Sequence, residues 1–242
     1  MRRAIVLCTA AVLVALTLGA APTKTARVQI PLEAAKIIIE FNATDEDVGI
    51  QVFLDGEPWK SVNIVGPDKR RIARIDGTGN LGKLGLTELF FESNEPSLVE
   101  DMTLAEFLAL FPEGEYKFSG RSVEGDELVA SATFTHNIPD GPSIVLPLEG
   151  ETVDPDNAII QWDLVTSPPG IEIAGYQVIV EQVDPVTTDA ISVLDVNKLP
   201  ASATQFKVPP EFLKPGTEYL FEVLAIEVGG NQTISQSSFV TE

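Results

Sequence analysis

The sequence predicts an all-β protein: two antiparallel β-sandwich domains in tandem, the first with one short inserted helix. Three observations carry that expectation. Apolar and polar residues alternate over short stretches, as at Val48, Ile50, Val52 and Leu54 and again at Tyr219, Phe221, Val223 and Ala225. That two-residue period puts every second side chain on one buried face of a strand. Turn signals recur between such stretches, among them Asp55-Gly56, Gly66-Pro67-Asp68, Glu124-Gly125-Asp126 and Gly229-Gly230-Asn231. Finally, the stiff run Ile138-Pro139-Asp140-Gly141-Pro142 divides the chain into two parts and suggests a fixed pair.

The chain opens with a basic Met1-Arg2-Arg3, an apolar run from Ala4 to Leu18 and the small residues Gly19, Ala20 and Ala21. Residues 1–21 therefore read as a signal peptide for secretion or export to a periplasm. Retention as a membrane anchor is the other reading, since the run approaches a span of ~18 residues. The single cysteine, Cys8, lies inside this leader. A mature chain has no thiol left for a disulfide, so apolar packing must hold it together. The formal charge is -20; loss of Arg2 and Arg3 leaves 14 basic against 36 acidic residues, or -22. Such a surface repels phosphate backbones and anionic headgroups, which argues against nucleic-acid partners and against membrane contact beyond the leader.

In the first domain, residues 27–139, Lys36 to Phe41 is a β-branched run expected as a strand buried on both sides. Asn42 to Asp47 forms a polar loop, and Val48 to Leu54 the next strand. Asp55-Gly56 is expected to turn the chain back through Trp59 to Val65. Strands follow at Arg70–Ile75 and Leu84–Glu92. One helix interrupts: Thr103 and Glu106 form a capping box, Leu104, Phe107, Leu108 and Phe111 share a face, and Pro112 ends it. Tyr116–Val123 and Leu128–Phe134 close the domain as a hairpin. The Pro112-x-Gly114-x-Tyr116 run resembles the penultimate strand of bacterial immunoglobulin-like domains, a likeness of about ten residues.

The second domain, residues 142–242, carries a fuller pattern. Pro142 to Val145 leads in, Trp162 ends the stretch from Ala158, and Tyr176 and Val178 alternate in the stretch from Ile173 to Val180. Leu213-x-Pro215-x-Thr217-x-Tyr219 precedes the last hairpin, which closes through Phe239, Val240 and Thr241. These residues resemble the fibronectin type III module across its whole length, as found in secreted bacterial proteins. The resemblance implies a core tryptophan at Trp162, core positions at Tyr176 and Val178, and a tyrosine corner at Tyr219 whose hydroxyl bonds backbone upstream. It implies adhesion or spacing rather than chemistry. No Arg-Gly-Asp tripeptide is present.

The candidate functional residues follow from faces and loops. If Tyr219, Phe221, Val223 and Ala225 point inward, then Leu220, Leu224 and Ile226 point outward, joined by Ile179 and Ile234 on the same sheet. An apolar outer patch on an acidic protein marks an interface, either with a protein or cell-surface partner or with the first domain. On the partner reading, Leu224→Glu abolishes association and leaves folding intact. Zinc is excluded by the lack of His or Cys clusters. Calcium needs only oxygens, and two loops offer them, Asp45 and Asp47 with Asn42 and Thr44, and Asp154 and Asp156 with Asn157. The same residue types also build ordinary turns. His136, the one histidine, reads as a solvated strand-end residue. Trp59, or Tyr116, could stack on a sugar or sit in a core. The expected function is an exported, non-catalytic binding or structural module without a cofactor. The alternative is a carbohydrate-binding accessory of extracellular polysaccharide processing.

Overall fold

The computed structural model describes residues 28–242, with 185, 188 and 189 left aside. The expected leader and Cys8 lie outside the described residues. In the first unit β1 (Gln29–Pro31) and β2 (Ala34–Asn42) precede β3 (Asp47–Val65), a strand of 19 residues. Then come β4 (Arg71–Asp76), α1 (Gly79–Leu84), β5 (Leu86–Glu92), α2 (Leu104–Leu110), β6 (Gly114–Ser122) and β7 (Glu127–Phe134).

The expected hairpin at Asp55-Gly56 does not form; β3 runs on through it. Its first half pairs with β2 and β5, its second with β4 and β6. One strand thereby serves both halves of the first core, and its register shifts around Trp59 let Trp59 point inward. The glycine is there for closeness rather than for a turn. A Cβ on Gly56 would lie 2.9 Å from the Leu32 side chain. In β2 the run Lys36–Phe41 alternates instead of being buried on both sides: Ile37 and Ile39 enter the core, while Ile38 and Glu40 are half-buried on the other face. The capping box holds α2 as expected, with the Glu106 amide donating to Thr103 Oγ1 (3.3 Å) and the Thr103 amide to the Glu106 carboxylate (2.9 Å). Phe107 is its buried residue. The shorter α1 was not anticipated, because Gly79 to Leu84 offers only Leu81 and Leu84 among glycines and polar residues and buries nothing.

The second unit holds β8 (Ile144–Leu146), β9 (Glu151–Val153), β10 (Ile159–Trp162), β11 (Ile173–Val183), β12 (Ala190–Pro200), β13 (Gln205–Lys207), β14 (Glu218–Glu227) and β15 (Gln232–Thr241). Strands β13, β10 and β8 form one small sheet; β15, β14, β11 and β12 form the opposing one. Between them Trp162 meets Tyr176 at 5.4 Å between ring centres, and Tyr219 stacks on Phe239 at the same distance. Tyr219 closes the corner anticipated for it: its hydroxyl accepts from the Lys214 amide (2.8 Å) and donates to the Phe212 carbonyl (3.4 Å). Tyr116 makes a similar link in the first unit, donating to the Pro112 carbonyl at 3.1 Å.

Each unit has its own apolar core, one around Trp59, Tyr116, Phe118 and Phe134, the other around Trp162, Tyr176, Phe221 and Phe239. Full burial of each such side chain is worth about 1.5–3 kcal/mol. The sheets are nonetheless continuous. β15 of the second unit pairs in parallel with β2 of the first, making one twelve-stranded sheet across the boundary. Among the described residues no helix is long and apolar enough to cross a membrane.

Candidate functional site

The seam between the units is knit by backbone and side-chain hydrogen bonds, and it begins at the hairpin between β14 and β15. Glu227 shapes that turn: its carboxylate accepts from the amides of Gly229 (2.8 Å) and Asn231 (3.2 Å). Asn231, only 2% exposed, then reaches into the first unit. Its side-chain oxygen accepts from the Ile39 amide of β2 (2.9 Å), and its nitrogen donates to the Thr135 and Asn137 carbonyls (2.9 Å each). The side chain thereby continues the strand ladder by one rung and ties down the linker. Further along, Gln232, Thr233 and Ile234 pair with Glu40, Phe41 and Asn42. The Ala43 amide donates to the Ile234 carbonyl (2.9 Å), Thr233 Oγ1 to the Pro139 carbonyl (2.6 Å), and the Gln236 amide to Thr44 Oγ1 (2.8 Å). Among the described residues every buried side-chain oxygen and nitrogen at this seam has a partner, as burial demands.

One face of this seam collects carboxylates. Carboxylate oxygens of Glu40, Glu92 and Glu95 lie within 4.8 Å of one another. Gly49, paired with Glu40 across β2 and β3, makes the crowding sterically feasible: a Cβ there would sit 2.9 Å from Glu95 Cγ. Gln232 donates to Glu40, and Gln236 donates to Glu222 (2.6 Å). Burial, followed by repulsion from Glu92, Glu95 and Glu222, pushes Glu40 up to about 7 against the Gln232 hydrogen bond. Burial also raises Glu222, with Glu181 and Asp45 adding to the shift, and raises Glu95, with Glu92 and Asp47 adding. Next to them a hollow of about 220 Å³ is lined by Glu149, Glu181, Glu222 and Leu220. A groove of about 510 Å³ opens on the same seam, between Lys36 and Ile38 of the first unit and Gln177, Lys198 and Ile226 of the second.

The residues singled out by sequence fall in several places. Of the five apolar positions, Leu224 (2% exposed) and Ile234 (7%) are buried, Ile179 and Ile226 are half-buried, and Leu220 alone is open at 43%. Ile234 lies in the β2 pairing itself. Leu224→Glu would therefore bury a charge and damage folding, so it is no clean test of association. Trp59 is fully buried in the first core and offers no face to a sugar; Tyr116 is equally buried. His136 is half-buried rather than solvated, its Nε2 lying 2.8 Å from the Phe111 carbonyl and its ring edge-on to Phe134.

The two loops proposed for calcium are occupied with their own turns. Asn42 Oδ1 accepts from the Thr44 and Asp45 amides, while Asn42 Nδ2 donates to Asp45 (3.0 Å). Asp154 accepts from the Asp156 amide (2.9 Å) and Asn157 Nδ2 (2.7 Å), bonds that hold its carboxyl below the usual range. Among the described residues neither loop gathers three carboxylates. The Asn231 clasp and the Glu40 crowd were not anticipated. Asparagine after a glycine pair reads as a turn residue, and glutamates from separate strands leave no local signal.

Comparison with known proteins agrees with the second unit. Residues 143–241 match the fibronectin type III domain, so the C-terminal part of the chain is a module of that family. Among curated proteins the chain finds no match. Among solved structures it is similar to the FN1–FN3 domains of chicken CNTN1, at 14% identity and a TM-score of 0.34, covering 88% of this chain and 68% of that one. It is also similar to a tetra-tandem repeat from the extending region of a large adhesion protein, at 13% identity and a TM-score of 0.30, over 87% of this chain and 50% of that one.

Proposed function

We propose that this is an exported, non-catalytic module that binds a protein or cell-surface partner and presents its two units as one fixed body. The observation that carries this reading is the pairing of β15 with β2, locked by Asn231, which fuses the fibronectin type III domain to its neighbour. A fused pair holds surfaces in a set relation, which suits spacing and presentation. The acidic composition suits solubility outside a cell. Leu220, the exposed apolar residue beside the acid-lined hollow, is the contact residue.

The test is binding of the labelled chain to the envelope fraction of the source cells, with Leu220→Glu as the control. Saturable capture that disappears after protease treatment of the envelope, and weakens about tenfold with Leu220→Glu, supports the reading. A loss of that size corresponds to about 1.4 kcal/mol. Capture that survives protease and follows polysaccharide instead would contradict it, as would no capture at all.

A further inference from the structure

The crowd of acids at the seam points to a device that concerns the joint itself, whatever the module binds. We propose that the joint between the two units is operated by protons: it closes more firmly in mild acid than in mild base. The argument starts from what faces Glu40. From β5 comes Glu92, from the loop after it Glu95, and from β14 Glu222, with Asp45, Asp47 and Glu181 behind them. The cation on its own strand face, Lys36, lies over the Phe53 ring at 5.9 Å. Among the described residues none of the ion pairs involves these acids. The one group that answers Glu40 directly is Gln232, a neutral amide on the strand that must dock.

Docking β15 against β2 thus takes Glu40 out of water and leaves it among like charges. A carboxyl in that position prefers to be neutral. The closed joint holds the Glu40 proton up to about pH 7, whereas an open joint, which returns Glu40 to water and leaves only Glu92 and Glu95 beside it, releases it at lower pH, closer to the ordinary value of 4.5. Closure is therefore firmest below about pH 4.5, weakens as pH rises towards 7, and levels off above that. Glu95 and Glu222, each raised by burial and in part by an acid of the other unit (Glu222 and Asp45 respectively), act in the same sense. At the far end of β15 Glu149 is held low by hydrogen bonds from Ser238 and Ser237, but all three lie within the second unit, so this shift does not bear on the joint.

Amide hydrogen exchange on the full chain reads the joint directly, because the Ile39 amide is bonded to Asn231 and the Ala43 amide to Ile234. After correction for intrinsic exchange, protection of these two amides should fall by at least about tenfold between pH 5 and pH 8, since each pKa unit of difference between the closed and open joint contributes a factor of about ten. Core amides of both units should hold steady. Glu40→Gln should flatten most of this dependence and hold the joint near its acid level. Glu92→Gln together with Glu95→Gln, both at exposed positions, should move the midpoint to lower pH without abolishing it. Protection that does not vary with pH in the wild type, or that varies equally in Glu40→Gln, would overturn the proposal.

Discussion

The interior of each unit and the seam between the units are held by different means. Around Trp162, Tyr176, Phe221 and Phe239 the contacts are apolar and aromatic, and the same holds around Trp59, Phe118 and Phe134. At the seam the work falls to Asn231, Gln232, Thr233 and backbone amides, with Glu40 drawn into partial burial. Apolar burial is insensitive to pH and to exact angles, whereas a buried polar joint is specific in geometry and costly when any member lacks a partner. The contrast explains how a chain can keep two robust cores and still possess a junction that responds to its surroundings.

Substitutions can break this contrast, and the largest effect belongs to the cores. Trp162→Ala should destabilise the second unit by about 3–5 kcal/mol, seen in urea unfolding, with exchange protection in the first core retained. Next comes the seam. Asn231→Ala leaves the Ile39 amide and the Thr135 and Asn137 carbonyls without their partner and should cost roughly 2–3 kcal/mol. That loss should show as faster exchange at Ile39 and not in either core. Smallest are the corners. Tyr219→Phe should cost about 1 kcal/mol and Tyr116→Phe no more, since Tyr219 joins two hydrogen bonds and Tyr116 one. A Tyr116→Phe loss exceeding that of Tyr219→Phe in thermal unfolding would contradict this ranking.

What could be read from the sequence was local in nature. The Thr103–Glu106 box spans four residues and formed as read; Tyr219 and Lys214 are five apart, and their corner formed too. Trp162 and Tyr176 declared a core because alternation and a family pattern both placed them inward. Asp55-Gly56 misled, because the same dipeptide that suits a hairpin also suits a strand pressed against Leu32, and only the three-dimensional neighbour distinguishes them. The seam was out of reach for a related reason. Ile39 and Asn231 are 192 positions apart, and nothing in either segment announces that the second unit will add a strand to the first. Alternation puts the five apolar positions on β11, β14 and β15, but it could not show that Leu224 and Ile234 are buried in the folded chain.

The central claim is that the two units behave as one body because β15 is shared. Residual dipolar couplings of the full chain at pH 5.5, measured for both units, test it most directly. The fused sheet predicts a single alignment tensor for the wild type, separating into two for Asn231→Ala. Two different tensors in the wild-type chain would contradict it.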